Sequence, residues 1–120
     1  MNIEEIREYC LTKKAVTEEL PFGPETLVFK VMGKVFALTS LDTLENTINL
    51  KCDPERAIQL REDFSYIKPG YHMNKKHWNT VISGQAPNKQ LMELIDHSYD
   101  LVVSGFTKKM KAELDALVAL

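Results

Sequence analysis

The stretch PGYHMNKKHWNTV, residues 69–81, holds two histidines, two lysines, a tyrosine and the only tryptophan of the chain, and it contains no acidic residue. Imidazoles bind metals or transfer protons, while aromatic rings and lysines contact nucleic acids. Three interpretations are therefore open for this stretch: a metal site, a nucleic-acid contact, and a basic hairpin with no chemistry of its own.

A metal site would need more ligands than this stretch supplies. A two-residue turn at Asn74-Lys75 would place His72 opposite His77 and Tyr71 opposite Trp78. Two imidazoles are half of a tetrahedral ligand set, and the neighbouring lysines repel a cation. The pattern favours an aromatic cross-strand pair of Tyr71 and Trp78, and no metal.

Enzymatic signals are few. The sequence contains no GxGxxG, GxxxxGK[ST], HExxH or GxSxG motif. Asp96, His97 and Ser98 are catalytic residue types, but neighbours on a helix point about 100° apart and cannot form a triad with one another. We therefore expect neither catalysis nor a cofactor, and we expect His97 at a helix surface or boundary.

The charge of the chain is unevenly placed. Formal net charge is −2, yet residues 26–41 and 64–92 contain no acid. These two basic windows hold six lysines: Lys30, Lys34, Lys68, Lys75, Lys76 and Lys89. Because each lysine can neutralise one phosphate, we expect ~3 to 5 phosphate contacts and nonspecific binding at a Kd of roughly 10⁻⁴ to 10⁻⁶ M. With only three arginines in the chain, little reading of base edges is expected.

Capping residues and helical spacing predict four helices. Asn2 followed by Glu5 resembles a capping box, which starts a first helix that runs to about residue 14. Asp53-Pro54 is a strong start for a second helix over 54–63. Apolar spacing predicts a third helix from Pro87 to about Gly105, and a last helix that carries Met110, Leu114 and Leu117.

Strand-like segments lie between these helices. LVFKVMGKVFAL predicts a hairpin that turns at Met32-Gly33, and simple alternation then pairs Phe29 with Phe36 and Leu27 with Leu38. Val28, Lys30, Val35 and Ala37 would lie on the opposite face. In TINLK, residues 47–51, alternation directs Ile48 and Leu50 inward and Lys51 outward, to the face that also carries Lys30, and WNTVIS belongs to a second hairpin. The pattern predicts one domain, an α/β (α+β) two-layer sandwich with an antiparallel sheet and helices packed on one face.

Compartment and assembly follow from simpler features. No apolar run approaches the ~20 residues of a membrane helix, and the amino terminus has no signal-peptide pattern. Cys10 and Cys52 stand alone, which is typical of buried thiols in a reducing compartment. We expect a cytoplasmic protein without membrane contact, and we favour a monomer.

The segments FKVMGKVFAL, NLKCDPERAIQLRE, PGYHMNKKHWNTV and LIDHSYDLVV, in this order and spacing, resemble the MmcQ/YjbR family of small bacterial proteins. The resemblance implies a CyaY-like or frataxin-like fold and DNA binding through two basic wings. The wing residues would be Lys30 and Lys34 on one hairpin and Lys75, Lys76 and His77 on the other. The candidate DNA-binding set also includes Lys51, Lys68 and Trp78.

Two other functions remain open. One is a non-enzymatic protein-interaction or regulatory module with a frataxin-like fold. The other uses Glu4, Glu5 and Glu8 of the first helix to bind iron, although Arg7 interrupts this acidic set. The resemblance has one departure, Thr107, which stands at the break between the last two helices where many relatives have proline.

Overall fold

The computed structural model describes residues 1–41, 45–70 and 73–117. Its elements, in chain order, are α1 (Ile3–Leu11), β1 (Val16–Glu19), β2 (Thr26–Val31), β3 (Lys34–Ser40), β4 (Thr47–Lys51), α2 (Pro54–Asp63), β5 (Ile67–Pro69), β6 (Trp78–Ile82), α3 (Asn88–Ser104) and α4 (Lys108–Ala116). Across this part of the chain, no helix has the length and apolar character that a membrane crossing requires.

The strands form one six-stranded sheet in the order β1-β2-β3-β4-β6-β5, and every neighbouring pair is antiparallel. Helix α3 packs on the central strands, α1 contacts β1, and α2 lies against β5 and β6. The buried side chains between the two layers include Phe29, Phe36, Ile48, Leu91 and Ile95. The predicted two-layer α/β sandwich is therefore confirmed.

Helix starts follow the capping residues closely. The Asn2 side chain accepts from the Glu5 backbone N–H at 2.8 Å, and the Glu5 carboxylate accepts from the Asn2 N–H at 3.1 Å. This is the predicted capping box, but α1 ends at Leu11 and is shorter than expected. Asp53 caps α2 through the Arg56 N–H at 3.2 Å, and the predicted bounds of this helix, 54–63, are confirmed.

Thr107 lies at the break between the last two helices, α3 and α4. Its side-chain oxygen accepts from the Met110 backbone N–H at 3.1 Å, so it is the N-cap of α4. A threonine cap satisfies one of the free N–H groups in the first turn, so the helix can begin here without a proline. The chain therefore breaks between Ser104 and Lys108 as predicted.

The first hairpin, β2 with β3, has the predicted turn and a different register. Met32 and Gly33 have φ values of 48° and 83°, which is the type I′ turn that suits a two-residue hairpin. A bulge then shifts the pairing, so Phe29 lies opposite Ala37 and not opposite Phe36. Simple alternation is thus wrong beyond the bulge: Phe29, Phe36 and Ala37 are all buried.

The same bulge also changes the second predicted cross-strand pair, Leu27 with Leu38, and the predicted outer face of β2 differs from the one observed. Leu27 pairs with Thr39, and Leu38 pairs with Val28. Val28 is fully buried although it lies on the face opposite to Phe29, so that face is not open along its whole length.

Two strands at the edges of the sheet differ from expectation. Strand β1 was not predicted, because its alternation of half-buried and exposed residues is only four residues long. At the other edge β5 has three residues and ends in Pro69. Its partner β6 begins at Trp78, so the connection is longer than two residues, which was the other alternative for the second hairpin.

Candidate functional site

Both hairpins turn at the same end of the sheet. The first turn follows Val31 and precedes Lys34, while β4 ends at Lys51 and β6 begins at Trp78, directly across from Lys51. Neighbouring strands lie about 4.8 Å apart, so three spacings place the middle of one hairpin roughly 14 Å from the middle of the other. We call this end, with Lys34, Lys51, Lys75 and Lys76, the basic end.

The four lysines of the basic end are available for a ligand. Lys34, Lys75 and Lys76 are exposed and Lys51 is half-buried. Within residues 1–41, 45–70 and 73–117 the ion pairs join Arg7 to Glu18, Lys13 to Asp96 and Lys30 to Glu19, and none involves a basic-end lysine. Their positive charge is therefore not neutralised by a contacting carboxylate in the part of the chain that the structure describes.

Lys30 and Lys68 share the outer face of the sheet with Lys51 but stand apart from the basic end. The Lys30 ammonium lies 2.8 Å from a Glu19 carboxylate oxygen on the neighbouring strand, which cancels much of its charge. Lys68 is exposed on β5, opposite Thr80. It borders a polar groove of about 320 Å³ whose other lining residues are Glu45, Thr47, Ser65, Thr80, Ile82 and Gln85.

The second turn is built around Asn74. The Asn74 side-chain oxygen accepts from the Lys76 N–H at 2.9 Å, and its carbonyl accepts from the N–H groups of His77 and Trp78 at 3.1 and 3.0 Å. Asparagine commonly bonds its own backbone two residues onward in this way. Lys75 and Lys76 are therefore held at the outside of a compact turn.

Trp78 and His77 lie at the base of that turn. The Gly70 N–H donates to the Trp78 carbonyl at 2.9 Å, so Trp78 lies across from Gly70. The His77 carbonyl accepts from the Cys52 N–H at 2.8 Å. The predicted partners of Trp78 and His77, Tyr71 and His72, lie outside the described residues, while the turn itself is at residues 74–77, near Asn74-Lys75 as predicted.

Two further residues fix this turn, and the sequence analysis missed both. Arg61 of α2 donates from Nη2 to the Lys75 carbonyl at 3.1 Å and from Nε to the Ala57 carbonyl at 3.1 Å. Gly70 is buried, and a Cβ there would lie 2.9 Å from both the Cβ and the carbonyl oxygen of Trp78. The Pro69-Gly70 dipeptide is a local turn signal, whereas no local signal connects Arg61 with a turn 14 residues away.

The run of Asp96, His97 and Ser98 faces three different partners. Asp96 accepts from the Tyr9 hydroxyl at 2.6 Å, His97 Nε2 accepts from the Asp53 N–H at 3.2 Å, and Ser98 donates to the Phe36 carbonyl at 2.5 Å. Burial is the main cause that lowers the pKa of His97, with the Arg56 charge second. The run therefore ties α3 to α1, α2 and the sheet, and the prediction that it forms no triad of its own is consistent with these contacts.

The other reactive side chains occupy structural positions. Cys10 and Cys52 are buried, as predicted, and burial raises the pKa of the Cys10 thiol to about 12. Among the described residues, no three histidine, cysteine, aspartate or glutamate side chains are grouped as a metal site requires. On α1, Glu5 closes the capping box and Arg7 pairs with Glu18 at 2.5 Å.

The chain is similar to several known bacterial proteins. A family model described as YjbR matches residues 11–101. The uncharacterized protein YbdF of Escherichia coli O157:H7 is 47% identical over 90 residues, which is 74% of each chain. The uncharacterized protein YjbR of Escherichia coli K12 is 32% identical over 105 residues, covering 87% of this chain and 89% of that protein.

Solved structures agree with this similarity. The crystal structure of the Deinococcus radiodurans protein DR2400 has a TM-score of 0.88 and 41% identity, covering 99% of this chain and 91% of that one. The crystal structure of a Pseudomonas syringae protein has a TM-score of 0.75 and 30% identity, covering 84% of this chain and 98% of that one. By family model, sequence and fold, this chain belongs to the YjbR family.

Proposed function

We propose that the chain binds double-stranded DNA weakly and largely without sequence preference through its basic end. The observation that carries this proposal is the shared placement of the two hairpin turns, which gathers Lys34, Lys51, Lys75 and Lys76 at one end of a net acidic molecule. An array of unpaired ammonium groups suits a phosphate backbone because each contact releases a counterion.

The proposal retains most of the predicted DNA-binding set and ranks its members. Lys34, Lys75 and Lys76 are the principal contacts, with Lys51 between them and His77 and Trp78 at the base of the second turn. Lys68 is a peripheral contact because it lies further along β5, and Lys30 is a weak one because Glu19 holds it. The resemblance to double-wing, CyaY-like proteins supports the same arrangement.

The affinity should depend steeply on salt. Four phosphate contacts correspond to a slope of log K against log salt of about −3.6, which is roughly a 100-fold loss of affinity between 50 and 200 mM salt. We expect little difference between duplex sequences, since lysine contacts to phosphates carry no base information. Such binding would have a role in coating or localisation and not in reading an operator.

The test is fluorescence anisotropy with a labelled duplex of about 20 base pairs, about 34 Å per ten pairs, titrated at low and moderate salt. Lys75→Glu with Lys76→Glu should abolish measurable binding at moderate salt and reduce the slope at low salt by about 2.

A matched control separates placement from net charge. Lys76 and Lys89 are both exposed lysines of the same acid-free window, but Lys89 lies in the first turn of α3, at the opposite end of the sheet. Lys76→Glu should weaken binding and Lys89→Glu should leave it close to native. Equal losses from the two variants would contradict a localised interface, and no binding by the native chain at low salt would remove the proposal.

An exposed apolar surface supports the second candidate, a protein-interaction module. Leu20, Phe22 and Leu41 are 50%, 73% and 43% exposed. They lie at the end of the sheet opposite to the basic end, where the Leu41 N–H donates to the Glu25 carbonyl at 2.7 Å. A partner would cover this surface, because exposed aromatic and aliphatic groups of this size are typical of contact sites.

Affinity purification with the tagged chain tests this second candidate. A single stoichiometric partner that is recovered with the native chain and lost with Phe22→Ser would favour it. Ile58→Ser is the control, since Ile58 is 54% exposed on α2, far along the chain from this surface. We propose no catalytic step, since the reactive side chains of α3 bond to structural partners.

A further inference from the structure

The second turn is held by a residue of α2 that lies outside every basic window. The Arg61 side chain is half-buried and bridges two carbonyl oxygens, those of Ala57 in its own helix and Lys75 in the turn. A guanidinium donates in fixed directions from Nε and Nη, so one arginine can satisfy both carbonyls at once. The turn is thereby joined to the helix layer at its tip.

Other contacts hold the same turn from its base. The Cys52 N–H donates to the His77 carbonyl at 2.8 Å, and the Gly70 N–H donates to the Trp78 carbonyl at 2.9 Å. Asn74 bonds to the N–H groups of Lys76, His77 and Trp78 from within. Arg61 is the only charged side chain among these contacts, and it is the one that reaches the tip where Lys75 and Lys76 are exposed.

We propose that Arg61 is a positioning residue for the basic end, which fixes the second turn so that Lys75 and Lys76 stand beside Lys34 and Lys51. This inference rests on the proposed DNA binding. Arg61 acts through backbone geometry, because two of its donor atoms already bond to carbonyls. A fixed turn loses less conformational freedom when phosphates bind to it than a mobile turn would.

The test compares two substitutions that keep the charge. Arg61→Lys retains the positive charge but cannot donate in both directions at once, so the tip is released. Arg56→Lys, in the same helix, is the matched control, because the backbone N–H of residue 56 donates to the Asp53 carboxylate at the start of α2, and the substitution leaves that bond in place.

The first readout needs no nucleic acid. Amide hydrogen exchange at Lys76, His77 and Trp78, with acrylamide quenching of Trp78, reports directly on the turn. Arg61→Lys should increase both exchange and quenching, whereas Arg56→Lys should leave both native. Native exchange in Arg61→Lys would overturn the inference, whatever the DNA titration gives.

The second readout is duplex affinity and its salt slope. Arg61→Lys should weaken binding about 3- to 10-fold, as the loss of one net hydrogen bond would, with the salt slope unchanged. Arg61→Gln separates position from charge: it should weaken binding similarly, again with the slope unchanged. A slope that falls by about 1 in Arg61→Gln and stays native in Arg61→Lys would show that Arg61 contacts phosphate directly and would overturn the positioning role. Failure of the native chain to bind removes the proposed function and is distinguishable, since the exchange readout stands without DNA.

Discussion

The two hairpins at the basic end are fixed in different ways. The first closes in two residues, Met32 and Gly33, and their positive φ values make the turn a local property of the sequence. The second turn, formed by residues 74–77, depends on contacts from Arg61 of α2 and from Cys52, which follows β4. Both present lysines at their tips, but only the first is fixed by the conformational preference of its own turn residues.

This difference separates backbone preference from tertiary support. A type I′ turn forms wherever two adjacent residues accept the left-handed region, so it survives changes elsewhere. The turn at residues 74–77 lacks such a pair of residues, and other elements of the molecule supply contacts that hold it. The second hairpin should therefore be the more sensitive to substitution and to conditions.

The largest expected effect is at the base of the second hairpin. In Gly70→Ala the new Cβ would lie 2.9 Å from the Cβ and the carbonyl oxygen of Trp78. Because part of that contact is backbone, the chain must shift, and we expect the free energy of unfolding to fall by about 2 to 3 kcal/mol. Urea denaturation measures this loss.

Gly84→Ala is the control for that substitution. A Cβ at Gly84 would have no heavy atom within 4 Å, so the free energy of unfolding should change by less than about 0.5 kcal/mol. A Gly70→Ala protein as stable as the Gly84→Ala protein would show that the second hairpin tolerates movement at its base and that the contrast with the first is small.

A smaller effect is expected in the first hairpin. Gly33 has φ of 83° and open space around it, so Gly33→Ala meets no clash and only the backbone penalty. We expect a loss of about 1 kcal/mol, and Gly33→Asn should recover much of it since asparagine accepts the left-handed region. Urea denaturation of both variants tests this, and equal losses would indicate that the penalty is not conformational.

The smallest expected effect is a pH dependence of the free energy of unfolding that arises from His97. This residue bonds to the start of α2, the helix that carries Arg61. His97 Nε2 accepts from the Asp53 N–H, which needs a neutral ring, and burial followed by the Arg56 charge lowers the pKa of His97, against the opposing charges of Asp53 and Asp100. The unfolded chain therefore takes up a proton before the folded chain as the pH falls. The free energy of unfolding should decrease as the pH drops through the unfolded value of about 6.5, until the folded pKa is passed.

His97→Gln tests the origin of that decrease. Glutamine offers an acceptor oxygen without a titrating group, so stability between pH 7.5 and 5.5 should vary less than in the native chain. An unchanged pH profile in this variant would assign the decrease to another group.

The features that could be predicted from the sequence are the local ones, and those that could not are set by contacts between distant parts of the chain. Asn2, Asp53 and the Met32-Gly33 turn act within three or four residues, and each placed its helix or hairpin correctly. The bulge beside Phe36 was not predictable from alternation, because strict alternation with a two-residue turn already directs Phe29 and Phe36 to one face and gives no signal of an extra residue.

The candidate site was predicted in its charges but not in its geometry. Acid-free windows identified the lysines of both tips, whereas the sheet order decides which of them lie together, and that order is set by long-range pairing. Lys30 was predicted as a contact, and Glu19, on a strand that the sequence analysis did not identify, pairs with it. The contact of Arg61 with the second turn could not be predicted. Its acceptor is a backbone carbonyl oxygen, which every residue type has.

The edge formed by β5 has a consequence for concentrated solutions of the protein. This strand has three residues and ends in Pro69, which has no N–H to offer a neighbouring chain. Open strand edges are the usual template for runaway sheet growth and for fibres, and short proline-ended strands interrupt it. The sheet therefore ends in a short strand on this side, which discourages two molecules in a concentrated solution from joining edge to edge there.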